Sequence, residues 1–303
     1  AWPGCVETRS VAGTDYDVSD APGNPSDPDT LFVPAFGIDE PEGPRFSNNY
    51  IVSSADPLDR TVRGRKQKLA KYGVATDAAG NPLLGGLLGG VGRALGLGGG
   101  KPAKIRIDTS PSSLFDNPKG PGLGCEVAAL SPLSSDYKAV KDKVNSLQAS
   151  GTNILEGVAW GWRVLSAGAP FSEGATKKTP NLEKIMVVLT DGTNVFGDAR
   201  NDFGSSYTSL GYRIDNRLGP GIGPGTATTN AMNARTLAAC ENAKADGTTI
   251  YTIRLEEPNV ATGTMLQECA TSPDMYFDVP SRTQLDEVFA KIRDRIVKVR
   301  LSS

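Results

Sequence analysis

The sequence predicts an α/β fold: a mostly parallel sheet flanked by helices and interrupted by long, loop-rich insertions. Three observations lead there. Ile185-Met186-Val187-Val188-Leu189 is an unbroken apolar run with two β-branched valines, which reads as a central strand covered on both faces, as in parallel sheets. Thr248 to Leu255 forms a second strand-like segment. Around them apolar residues recur at helical spacing, first Tyr137, Val140, Val144 and Leu147, then Leu155, Val158, Trp162 and Leu165.

In chain order, residues 11–104 form a first insertion. Asp, Gly and Pro recur from Asp15 to Pro44, and Leu83 to Gly100 holds nine glycines in eighteen positions. Leu84, Leu87, Leu88, Val91 and Leu95 would share one helix face, with Gly85 and Gly89 at a small-xxx-small spacing. Each glycine costs up to about 1 kcal/mol in a helix, so an isolated helix is not expected there. A loop, a subunit contact and a membrane-active hairpin stay open, with Arg93 opposing deep insertion.

A helix ending near Gln148 then meets the turn Gly151-Thr152-Asn153-Ile154, which opens the next helix. Thr152 is read either as its N-cap or as a hydroxyl turned outward. The apolar strand follows, and then a second insertion at residues 203–229. Ala231 to Ala245 reads as a helix, Thr262 to Ala270 as a short one, and Tyr276 to Val279 as the last strand. Ser281 with Gln284 suggests a capping box, and Leu285, Val288, Phe289, Ile292 and Ile296 make one apolar stripe of a closing helix.

The strand runs into Thr190-Asp191-Gly192-Thr193-Asn194. Ligands of open α/β sheets bind beyond the carboxyl ends of strands, so Asp191 stands where binding is expected. The alternative is a plain Asp-Gly turn.

Several further segments point in one direction. The helix ending in a glycine turn, Thr152 opening a helix with Gly157-Val158 downstream, and the strand running into Thr190-Asp191-Gly192 resemble the von Willebrand A-like family, whose sheet is Rossmann-like; the match extends to Trp2-Pro3-Gly4-Cys5-Val6-Glu7-Thr8-Arg9, Gly151 to Ser166 with its Trp-Gly-Trp, Ala169-Pro170-Phe171, Cys240 to Lys244 leading into Ile250 to Ile253, Cys269-Ala270, and the tail from Phe289 to Ser302. Within it they resemble the TadG type that accompanies tight-adherence (Flp) pili of bacteria. The resemblance covers residues 2–9 and about 125–302 and implies one such domain over residues 1–303 that lacks its first strand and helix.

The resemblance further implies a divalent cation such as Mg²⁺, held by an Asp-x-Ser-x-Ser loop, a Thr and an Asp. Thr152 and Asp191 match the last two. Hydroxyls and waters leave such an ion short of negative charge, so a carboxylate from a protein ligand is welcome in the remaining position. Asp108-Thr109-Ser110-Pro111-Ser112 satisfies the letters of the first loop, making Asp108, Ser110 and Ser112 alternative ligands. However, Asn117-Pro118 and the glycines that follow break the helix this motif requires. The chain is therefore expected to be a fragment. A missing central strand costs several kcal/mol, at about 25 cal/mol per Å² of apolar surface, so the upstream part of the same precursor or a neighbouring subunit is expected to complete the sheet.

Cys5, Cys125, Cys240 and Cys269 lack the close spacing of a zinc or redox motif. The favoured pairs are Cys5 with Cys125, beside the same insertion, and Cys240 with Cys269, on elements flanking Thr248 to Leu255. Four buried thiols are the alternative. Paired cysteines imply export to the periplasm, cell surface or exterior. Lys plus Arg is 32 against 34 for Asp plus Glu, which provides no basic field for nucleic acid. No apolar run reaches the ~18 residues of a membrane helix. The chain has no histidine, which removes Ser-His and Cys-His catalysis and leaves metal-assisted hydrolysis at Thr152 and Asp191 as the enzymatic alternative. The expected function is non-catalytic binding or adhesion through a metal-dependent site. The alternative is a structural subunit of an extracellular assembly with a vestigial site.

Overall fold

A computed structural model describes residues 3–11, 15–16, 18–27, 30–39, 48–53, 105–110, 119–125, 127–148, 151–177, 179–197 and 203–302. The glycine-rich stretch 83–100 and Ser112 lie outside the described residues. The chain divides into two compact units: Ala1–Thr8 with Phe32–Val127 and Gly197–Arg217, and Arg9–Leu31 with Ala128–Phe196 and Leu218–Ser303. Segments read from sequence as insertions thus supply most of the first unit.

In the first unit the Cys5–Cys125 disulfide joins residues 120 apart. Strand β3 (Ile51–Ser53) pairs antiparallel with β4 (Ile105–Ile107). The fully buried Asp39 accepts the Tyr50 and Ile51 amides at 3.1 and 2.9 Å, so the carboxylate takes the place of a strand partner. Phe203 and Tyr212 stack at 4.8 Å beside Ile38. Glu7 pairs with Arg217 and accepts the Tyr207 hydroxyl. Burial, reinforced by Glu7, pushes that phenol far above its usual range.

The second unit begins with a short ribbon, β1 (Ser10–Val11) antiparallel to β2 (Asp15–Tyr16). Its main body is a three-stranded parallel sheet in the order β5 (Lys184–Thr190), β6 (Thr248–Leu255), β7 (Tyr276–Val279). The helices are α1 (Tyr137–Asn145), α2 (Ile154–Leu165), α3 (Thr226–Ala245), α4 (Val260–Cys269) and α5 (Leu285–Ser302). Parallel neighbours require crossovers: α3 links β5 to β6 and α4 links β6 to β7. One core combines Val158, Trp162, Met186, Ile250 and Leu266 from α2, the sheet and α4. The other sets Tyr251, Ile253 and Val279 against Val288 and Ile292 of α5. The Cys240–Cys269 disulfide ties α3 to α4, so both favoured pairings form.

The α/β expectation holds at the level of a small parallel sheet flanked by helices. Several finer expectations are corrected. Of the three described strands β6 is the middle one and β5 lies at the edge, and β5 is not covered on both faces. Its buried positions are Lys184, Met186 and Thr190, with Met186 in the core shared with the helices, while Val187 and Leu189 are 40% and 43% exposed. On that face Ile185 packs against the cluster of Tyr251, Ile253, Val279, Val288 and Ile292. Helix α1 forms, yet none of its residues is buried, and Val140 and Val144 are exposed. Helix α3 starts at Thr226, inside the segment read as a second insertion. Ser281 accepts the Thr283 amide and opens a 3₁₀ turn at Arg282–Gln284, replacing the expected capping box. Phe289 turns to solvent.

Candidate functional site

The carboxyl end of β5 and the amino end of α2 meet. Gly151, with φ of 39°, adopts the left-handed backbone that glycine tolerates and turns the chain into Thr152. The N-cap of α2 is Asn153, not Thr152: the Asn153 side chain accepts the Glu156 amide at 3.1 Å. The Thr152 hydroxyl is thereby released from capping, while its carbonyl accepts the Val195 amide at 2.9 Å. That backbone bond pins the Thr152 turn to the loop after β5.

The loop itself is shaped by short polar links. Thr190 Oγ1 accepts the Gly192 amide at 3.2 Å and donates to the Gly192 carbonyl at 2.9 Å. Gly192 presses against Thr152: a Cβ there would lie 2.6 Å from Thr152 Oγ1. Asp191 is exposed at the tip, and no hydrogen bond or ion pair engages its carboxylate among the described residues.

Asn194 organises this end of the unit and was not singled out by the sequence reading. It is fully buried. Its Oδ1 accepts the Ile154 and Leu155 amides at 2.8 and 3.3 Å, two donors that the first turn of a helix leaves unsatisfied. Its Nδ2 donates to Asn233 Oδ1 at 2.9 Å and Thr236 Oγ1 at 3.3 Å on α3. One side chain therefore spans the β5 loop, α2 and α3. The signal available was a polar residue close after a buried strand, with Asn233 and Thr236 one turn apart on a helix.

The structure brings Thr152 and the Asp191 loop together. Asp108 belongs to the first unit, where Lys119 Nζ lies 3.0 Å from its carboxylate and the Ser110 amide donates at 3.1 Å. Hydrogen bonds from Ser110 and Lys119 hold that carboxyl well below the usual range. Divalent cations such as Mg²⁺ take oxygen donors, and the Thr152 hydroxyl with the free Asp191 carboxylate supplies two of that type on adjoining loops. Among the described residues no group of three or more His, Cys, Asp or Glu side chains could hold a metal. A cation there would thus rest on hydroxyl, water and ligand oxygens as well.

No family model matches the chain, and no curated protein matches it. Solved structures do. Two crystal structures of the pilus adhesin SpaC from Lactobacillus rhamnosus GG, one of them in an open conformation, are 20% and 19% identical, each with a TM-score of 0.36 over 55% of this chain. The chain spans 21% of SpaC. Proximal thread matrix protein 1 from the mussel byssus is 15% identical, with a TM-score of 0.31 over 61% of this chain and 33% of its own length. Among the described residues no helix is long and apolar enough to cross a membrane.

Proposed function

We propose that this chain is a non-catalytic, exported binding module that grips a carboxylate-bearing protein ligand through a divalent cation at Thr152 and Asp191, in the manner of a von Willebrand A-like domain associated with tight-adherence pili. The observation that carries it is the seating of the Thr152 turn against the Asp191 loop, fastened by the Val195-to-Thr152 backbone bond and by a glycine whose missing side chain leaves room for the Thr152 hydroxyl. The cation would supply a positive centre for a ligand carboxylate. Thr152 and Asp191 would hold it, and Asn194 keeps both loops in place from behind. The two disulfides support an oxidising compartment, and the pilus association rests on the sequence resemblance.

Calorimetric titration with Mg²⁺ and Mn²⁺ tests this. Saturable binding that weakens at least about tenfold in Asp191→Ala and in Thr152→Ala, with folding unchanged, is expected. Gly192→Ala should weaken it too, because its methyl meets the Thr152 hydroxyl. Absence of binding, or binding unaffected by Asp191→Ala, overturns the proposal.

A second reading, a structural subunit of an extracellular assembly with a vestigial cation site, is favoured by the uncovered apolar stripe of α1, where Tyr137, Val140 and Val144 are 84%, 41% and 59% exposed.

A further inference from the structure

Arg254 stands one strand away from the candidate site, on the same face of the sheet. It is the register partner of Thr190, whose hydroxyl shapes the Asp191 loop, and paired residues of adjacent strands lie about 5 Å apart with their side chains on one face. That face is the one α2 covers: Met186 and Ile250, each an even number of residues before Thr190 and Arg254, share a core with Ile154. The guanidinium is held in place. Its Nε donates to the Glu257 carbonyl, its Nη1 reaches Asp278 at 3.4 Å, and its side chain is only 14% exposed. Gly263 of α4 leaves the slot it fills, since a Cβ there would lie 2.6 Å from Arg254 Nη1 and 3.0 Å from Cζ.

The acids of the neighbouring loop are already engaged. Glu257 Oε1 accepts the Asn259 amide at 2.7 Å, and Glu256 accepts the amide and guanidinium of Arg282 at 3.1 to 3.2 Å. Asp278, its side chain 59% exposed, takes one corner of the Arg254 fork at long range. Among the described residues no hydrogen bond engages Nη2. A guanidinium fork matches a carboxylate with two N–H donors, and a largely desolvated one attracts an anion more strongly than one in water. We propose that Arg254 is a second anion anchor of the candidate site, and that the partner is an acidic peptide segment with two carboxylates, one on the cation at Thr152 and Asp191 and the other on Arg254. This rests on the cation reading given above. One to two strand spacings amount to roughly 5–10 Å. An extended chain advances about 3.3–3.6 Å per residue, and residues two apart face the same surface, so the two acids belong two residues apart.

The test is calorimetry on the intact chain in Mg²⁺, with the peptide Ac-Gly-Asp-Gly-Asp-Gly-amide and the same peptide carrying Asn in place of one Asp. The two-acid peptide is expected to bind about tenfold more tightly. Arg254→Gln should abolish that advantage and leave Mg²⁺ affinity unchanged. Gly263→Ala, which a helix tolerates, should shrink it by displacing the fork, and Asp278→Asn should enlarge it by removing the competing carboxylate. Should Arg254→Gln fail to fold, these last two variants decide. Equal affinity for both peptides in a chain that binds Mg²⁺, or an advantage that none of the three variants alters, overturns this inference and leaves the cation reading standing. Absence of Mg²⁺ binding overturns the cation reading, and the two-point grip with it.

Discussion

Asn194 Oδ1 accepts the Ile154 amide at 2.8 Å while the other end of the same carboxamide donates to Asn233 at 2.9 Å. One buried side chain thus satisfies the start of α2 and links it to α3.

Replacing Asn194 with Ala leaves two helix-start amides and the Asn233 carbonyl oxygen unpaired in the interior. A buried polar group stripped of its partner costs about 1–3 kcal/mol, so Asn194→Ala should destabilise the second unit by about 2–4 kcal/mol. Asn194→Asp should behave differently, because it preserves the acceptor for the amides but confronts Asn233 Oδ1 with a second acceptor. Chemical denaturation followed by Trp160 and Trp162 fluorescence measures both. A loss below about 0.5 kcal/mol in Asn194→Ala would contradict the structural role.

Asp246 provides the pH dependence. Its side chain is 1% exposed and pairs with Lys184 at 3.1 Å and Lys177 at 3.0 Å, Lys184 itself being 6% exposed. Burial pushes its pKa up, but hydrogen bonds from Lys177 and Lys184 outweigh burial and hold it below the ordinary value. A depressed folded-state pKa contributes stability that is fully present above the unfolded value, about 3.9, and is lost as pH falls through the folded value. Melting temperatures of the native chain and Asp246→Asn should therefore differ by a constant amount above about pH 5 and converge below about pH 4. At neutral pH the variant strands a buried lysine, a loss of about 3 kcal/mol. A gap that widens on acidification would reverse the assignment.

The Cys240–Cys269 bridge closes a span of 29 residues between two fully buried sulfurs. Chain-entropy arguments place such a crosslink at about 3–4 kcal/mol. The Cys240→Ala, Cys269→Ala double variant should lose about that much and should no longer respond to reductant at this site. Thermal unfolding with and without dithiothreitol checks it. Unchanged stability would show that helix packing alone holds α3 to α4.

Most regular elements of the second unit were legible from local pattern. Thr248–Leu255 and Tyr276–Val279 are strands as read, because short apolar runs bounded by turn residues carry their own signal. Helix α2 was legible from the three- and four-residue recurrence of Leu155, Val158 and Trp162, all of which are buried. The same logic misled at α1, where a good stripe forms a helix with no buried residue. Periodicity reports which residues would share a face; it does not report whether anything covers that face. Thr152 was placed correctly at the head of α2 but one residue early as its cap, since Asn153 competes for the same amides and wins.

By itself, the sequence determined the α/β pattern and the type of most elements in the second unit, because period, turn chemistry and residue type are local properties; the candidate pair Thr152 and Asp191 came from the family resemblance. The tertiary structure alone decided that among the described strands β6 lies between β5 and β7, that Asn194 joins three elements, and that Gly192 makes room for the Thr152 hydroxyl. The last two outcomes depend on contacts between residues about 40 apart along the chain, and the strand order on pairings such as Lys184 with Thr248; such contacts form only once the core has closed and buried polar groups have found partners.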